Sequence, residues 1–141
     1  MPLVQHFQEL RVYQIGLEAS MRIFEASKAW PAEERYSLTD QIRRSSRAVC
    51  ANIAEAWSKR RYPTHFVSKL SDADAEVSET LTWLEFASRC GYISSGLFEE
   101  CSGQCRQISG GLVNMMADPT TWTGPAALRD DKSLYDTGRF D

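Results

Sequence analysis

Four stretches of helical period, each closed by a breaker, decide most of what this chain can fold into. In the first, about residues 7–29, Leu10, Tyr13, Leu17, Met21 and Phe24 recur three and four apart and predict an inner stripe, with Val12, Ala19 and Ile23 as a weaker second one. Trp30-Pro31 ends it, because the residue before proline disfavours the helical region. After a polar loop from Ala32 to Tyr36, a second helix is expected over about 38–60, capped by the hydroxyl of Ser37 or Thr39. Its inner face is Ile42, Ser45, Val49, Ile53 and Ala56.

Past the break at Arg61-Tyr62-Pro63, a third helix is expected over about 64–90, with Thr64 as its cap and Phe66, Leu70, Ala73, Val77, Leu81 and Leu84 facing in. Gly91 suits its C-terminal cap. A fourth, about 95–117, is capped by Ser94 or Ser95 and buries Leu97, Cys101, Ile108, Leu112 and Met115. Gly110-Gly111 should weaken it, at roughly 1 kcal/mol per glycine relative to alanine. Asp118-Pro119 stops it, and 118–141 show no surviving period, so an irregular tail is expected whose aromatic residues pin it to the bundle or to a neighbour. Four helices of similar length on short loops predict an all-α fold, an antiparallel up-down-up-down four-helix bundle over 1–117.

Several functions lose their footing on composition and spacing. No apolar run approaches the about 18 residues of a membrane span. The start of the chain has neither the basic opening nor the apolar block of a signal peptide, so the expected location is cytoplasmic. Cys50, Cys90, Cys101 and Cys105 fall in or at the ends of expected helices rather than at the spacings of a disulfide framework. Cys101 and Cys105 share a helix face, but the two further ligands of a zinc site could come from Cys50 and Cys90 only by coincidence of packing, and small apolar packing is the favoured reading. Asp72, Glu76 and Glu79 form an acidic stripe, yet neither His6 nor His65 follows a Glu by three, as a di-iron bundle would require. No phosphate loop, nucleophile elbow or Ser-His-Asp order is present, so no catalytic residue, metal or cofactor is expected.

What remains is a set of second stripes. At roughly 100° per residue, Arg44, Ala48 and Glu55 line up beside the apolar face of the second helix, with Asn52 on its shoulder. Asp72, Glu76, Glu79, Trp83 and Phe86 do the same on the third. Opposite charges plus two aromatics are what a subunit contact uses for register and affinity, so Arg44, Asn52, Glu55, Glu76 and Glu79 are the expected polar network, with Trp83 and Phe86 as its apolar part. The competing reading is that these aromatics only widen the core.

A basic cluster points elsewhere. Arg43, Arg44 and Arg47 open the second helix, and Lys59, Arg60 and Arg61 close it, with Trp57 and Tyr62 near enough to stack on bases. The two groups lie about 24 Å apart along the helix and do not form one patch in a single subunit. A net charge of −3 and a pI near 5.4 are unlike a dedicated nucleic-acid domain.

Three segments carry a resemblance. Leu38-Thr39-Asp40-Gln41-Ile42-Arg43-Arg44 followed by Asn52-Ile53-Ala54-Glu55, the opening Phe7-Gln8-Glu9-Leu10-Arg11-Val12-Tyr13-Gln14, and Leu84 to Ile93 ending Cys90-Gly91-Tyr92-Ile93 resemble the four-helix-bundle family encoded within 23S ribosomal RNA intervening sequences. The likeness spans roughly Phe7 to Met116. It departs at Ala56, where the family usually has glycine, and alanine should let the helix run on through Trp57. The resemblance implies a four-helix bundle that assembles with itself, as a homopentamer, and a non-enzymatic scaffold role. The family is also similar to the accessory protein of diversity-generating retroelements, a basic pentamer working with reverse transcriptase and RNA. That implies the alternative, RNA or an RNA-handling protein bound through a rim of Arg43, Arg47, Lys59, Arg60, Arg61 and Tyr62.

Overall fold

The computed structural model describes residues 4–123, and its long helices are α1 (Arg11–Ser27), α2 (Asp40–Ser58), α3 (Pro63–Arg89) and α4 (Ser95–Ala117). Each packs against its neighbours in the cycle α1–α2–α3–α4–α1, which leaves α1 and α3 on opposite corners of a bundle. The antiparallel sense is visible in the cross-links: Arg44 meets Glu79 while Glu55, further along α2, meets Lys69, earlier on α3. Among the described residues the fold is the all-α four-helix bundle expected.

The helix ends follow local chemistry. Pro63 takes the first turn of α3, where its missing N–H costs nothing. Gly91, at φ +77°, turns the chain after α3. The Ser94 hydroxyl accepts from the Leu97 amide and caps α4. Four boundaries differ from expectation: α3 begins at Pro63 with Tyr62 at its N-cap, so Thr64 lies inside the helix and caps nothing. The first helix is split, because Leu10 is extended (ψ 131°) between a 3-10 turn, Phe7–Glu9, and α1. Glu9 holds that turn by accepting the amides of Gln5 (2.7 Å) and His6 (2.8 Å), which also lowers its carboxyl pKa. The loop expected over Ala32–Tyr36 is instead a 3-10 turn (Ala32–Glu34) running into a π-helical turn (Arg35–Thr39). Thr39 lies inside this helical path and caps nothing. These turns are held from outside: Leu38 and Thr39 are buried, and Glu34 accepts the Tyr92 hydroxyl at 2.8 Å.

The inner faces of α2, α3 and α4 are largely as their spacing predicts. Ile42, Ser45, Val49, Ile53 and Ala56 are all buried, as are Phe66, Leu70, Ala73, Val77 and Leu84, and Cys101, Ile108, Leu112 and Met115. Leu81 and Leu97 are half-buried at the margin. Ser45 is satisfied by a 2.8 Å hydrogen bond to the Thr80 hydroxyl across the α2–α3 contact.

On α1 the two stripes partly exchange roles, although Leu10, just before it, is buried as expected and Tyr13 and Phe24 are half-buried. Val12, Ile15, Ala19 and Ile23 are buried, while Leu17 is 48% and Met21 50% exposed. Small residues decide this. A Cβ on Gly16 would lie 3.0 Å from Cys50 Sγ, and one on Gly111 would lie 2.5 Å from Val12 Cγ1. α1 therefore turns its small side inward, where α2 and α4 come close, and its larger side chains face out. Gly111 serves a close approach rather than a weakness, and α4 stays helical through it.

The tail departs from expectation at its start. Thr120–Thr123 form one helical turn, α5, organised by the Asp118 carboxylate, which accepts the hydroxyls of Thr120 (2.9 Å) and Thr121 (2.6 Å) and has its pKa lowered by them. Trp122 packs against the core. Leu128, Tyr135 and Phe140 lie outside the described residues.

The two adjacent glycines of α4 give a paired test. Gly111→Ala should cost about 1–3 kcal/mol, since its methyl meets Val12 in a packed contact. Gly110→Ala, with nothing within 4 Å, should raise stability by up to about 1 kcal/mol. Urea unfolding of the two variants checks both signs.

Candidate interaction surface

Two outward corners of the bundle gather the charged and aromatic residues singled out by spacing. The first is built where α2 meets α3. Arg44 pairs with Glu79 at 2.6 Å and reaches Glu76 at 3.7 Å. Glu79 also accepts the Trp83 indole N–H at 3.3 Å. Trp83 stacks obliquely on Phe86, centroids 6.1 Å apart, and Phe86 is 54% exposed. Burial of Glu76, reinforced by the neighbouring Glu79 carboxylate, raises its pKa despite Arg44. Arg44, Glu76, Glu79, Trp83 and Phe86 thus occupy one surface.

Glu55 and Asn52 stand apart from it. Glu55 pairs with Lys69 at 2.9 Å, and Lys69 also reaches Asp72 at 3.5 Å, so a second cluster follows the first along the α2–α3 seam. The Asn52 amide donates to the Ala48 carbonyl one turn back (3.0 Å), which satisfies it within its own helix. Lys69 was not singled out by spacing. The signal was available, because Lys69 and Asp72 are three apart on one helix face.

The second corner is centred on Phe24 of α1. Its ring lies 4.7 Å from the Arg43 guanidinium, 5.4 Å from that of Arg47 and 5.0 Å from the Lys28 ammonium. Arg43 also donates to the Ser27 hydroxyl at 2.8 Å. Lys28 is paired with Glu25, whereas no carboxylate of the described residues lies within 4.0 Å of Arg43 or Arg47. The exposed Leu17 and Met21 lie further back along α1, where Met21 lines a groove with Glu18, Arg22, Glu25, Leu97 and Glu100 on the α4 side. On the α4 side Arg22 links Glu18 (2.9 Å) to Glu100 (2.8 Å).

The basic group at the far end of α2 is arranged differently. Trp57 is buried, so it is not the base-stacking platform its position suggested. Arg60 lies on its ring, 3.6 Å from the centroid, and donates to the Trp57 carbonyl at 2.9 Å. Burial lowers the pKa of that guanidinium. Arg61 stacks on Tyr62 at 5.1 Å, Tyr62 lies 5.4 Å from His65, and Lys59 is exposed. The two basic groups stay at opposite ends of α2.

The chain matches the family described as 23S rRNA-intervening sequence protein over residues 8–114. It belongs to that family. A crystal structure from the S23 ribosomal protein family of Bacteroides thetaiotaomicron, a protein with unknown function, is similar at 30% identity and a TM-score of 0.67, covering 75% of this chain and 95% of that one. No curated protein matches the sequence. In this intervening-sequence protein the family match covers both corners and ends before α5.

The cysteines sit in the packing of the same bundle. Burial pushes the Cys50 thiol up to about 11 and the Cys105 thiol up to about 12, and raises Cys101 as well. They behave there as small apolar side chains. Cys90 is exposed at the end of α3. Among the described residues no three His, Cys, Asp or Glu side chains converge on a metal position, and no helix is long and apolar enough to cross a membrane.

Arg44 is 56% exposed, so its pairing with Glu79 should contribute little on its own. A double-mutant cycle with Arg44→Ala and Glu79→Ala should give a coupling of about 0.2–1 kcal/mol in thermal unfolding. Purely additive losses would mean that the two side chains do not meet in solution.

Proposed function

We propose that this intervening-sequence protein is a non-enzymatic assembly protein of the cytoplasm whose bundle associates with copies of itself, as a homopentamer, and so forms a scaffold. The observation that carries this reading is the pair of apolar corners. Leu17 and Met21 on α1 and Phe86 on α3 are each about half exposed, and each has a charged margin. Large apolar side chains grouped this way mark interaction sites more often than scattered ones do.

The solution mass of the full chain tests the reading. Sedimentation equilibrium should return the mass of five 16.0 kDa chains, without a large monomer fraction at micromolar concentration. A 16.0 kDa species at every concentration would overturn it.

A second reading rests on Arg43 and Arg47, which face no carboxylate of the described residues. It makes the chain an RNA-associated accessory protein, in line with the family's name. The basic rim would then be Arg43, Arg47, Lys59, Arg60, Arg61 and Tyr62. Phosphate-driven binding weakens steeply with salt. If four to six phosphates are neutralised, affinity for a structured RNA should fall by about 10²- to 10³-fold between 50 and 200 mM salt. A salt-independent signal, or none, would remove this reading.

A further inference from the structure

We infer that the groove between α1 and α4 takes a short, basic, amphipathic helix of a partner protein. An apolar side chain of that helix enters between Met21 and Leu97, and its lysines or arginines meet Glu18, Glu25 and Glu100. This gives the scaffold reading a partner; it rests on the binding role proposed above and not on the number of copies.

The rim of the groove is acidic on both sides. Glu18 and Glu25 stand seven residues apart on α1, about 10 Å along its axis, and Glu100 faces them from the second turn of α4. One cation, Arg22, lines the groove among these three carboxylates. It bridges Glu18 (2.9 Å) to Glu100 (2.8 Å) and so holds both in place across the gap. The side chains of Glu18, Glu25 and Glu100 are all more than half exposed, which leaves them open to a further cation. Counting Lys28, which pairs with Glu25, carboxylates still outnumber cations. Basic residues seven apart on a second helix would match the spacing of Glu18 and Glu25, since both helices rise by the same amount per residue.

The same charges tell against the other occupants. An RNA would bring its phosphates against carboxylates. A two-fold pairing of the groove with itself would set Glu18, Glu25 and Glu100 against their own copies.

The floor is apolar. Met21 is half exposed, Ala26 and Leu97 are half-buried, and the methionine can adapt to what lies on it. The groove is open to solvent, so it would cover only one side of a small molecule, whereas small-molecule sites enclose most of their ligand. A helix needs only one face covered. An extended peptide is disfavoured, because the described residues form helices and turns and offer no strand edge for its backbone, while a helix satisfies its own.

Fluorescence anisotropy with the full chain tests this. The probe is a labelled synthetic helix of about 15 residues, with lysines seven apart and leucines at helical spacing between them. It should bind with a Kd of about 1–100 µM, and the same helix with glutamate for lysine should not bind. Glu18→Gln, Glu25→Gln and Glu100→Gln together should weaken binding about 10-fold. Met21→Lys, an exposed substitution, should weaken it at least as much. Glu33→Gln, Asp40→Asn and Glu85→Gln together make the same charge change at exposed positions away from the groove and should leave the affinity unchanged. Circular dichroism confirms that each variant is folded, and Met21→Lys serves if a triple variant is not. No binding up to about 500 µM wild-type chain would overturn the inference. So would equal weakening by both triple variants, which would reduce the attraction to overall acidity, or binding that Met21→Lys leaves intact. A Met21→Lys chain of lower solution mass than wild type would put another copy in the groove, overturning the partner helix and leaving self-association standing. A monomeric wild type that binds the probe through these residues would overturn the homopentamer and leave this inference standing.

Discussion

The close approach of α1 to its two neighbours is the constraint on which the rest of the structure depends. α1 meets α2 at Gly16 and α4 at Gly111, and at both points a single methyl group would touch or overlap the opposing side chain. Packed interiors tolerate little of this, because extra methylenes force off-rotamer side chains and backbone shifts. The rotation of α1 about its own axis is thereby set. Its small and β-branched residues go inward and its larger, flexible ones, Leu17 and Met21, are left on the surface. The apolar corner considered for self-association is a consequence of this packing rather than a separate addition to the fold.

This explains where the sequence was legible. On α2, α3 and α4 the apolar spacing has one dominant stripe, and almost every residue on it is buried. On α1 two stripes compete, and hydrophobic size favours the wrong one. The choice depends on how near another helix comes, which is a tertiary quantity that one helix's periodicity does not contain. The segment between α1 and α2 was misread for a related reason. Its composition is polar, but Leu38, Thr39 and the Glu34–Tyr92 hydrogen bond tie it to the bundle and hold it in helical turns.

The polar groups divide along similar lines. Arg43, Arg44 and Arg47 look alike in sequence, but successive residues on a helix are turned by about 100°. Arg44 faces α3 and is engaged by Glu76 and Glu79, while Arg43 and Arg47 face α1 and lie over Phe24. The pairing of Arg44 with the acidic stripe follows from helix geometry and could be anticipated. The division of Glu55 and Asp72 to Lys69 required knowing the α2–α3 register, which puts Lys69 opposite Glu55.

The surplus of charge at each corner bears on specificity more than on stability. Exposed ion pairs contribute little to folding, and the desolvation of a charged group in a contact offsets much of its attraction. Apolar side chains such as Met21 and Phe86 supply affinity without direction, since they bury equally well against any apolar surface. Arg43 and Arg47 over Phe24 on one side, and the carboxylates of Glu55, Asp72, Glu76 and Glu79 on the other, give the two surfaces different charge. Net charge conceals this arrangement. A chain at −3 overall can present a basic edge on one side, provided its carboxylates are gathered on the other.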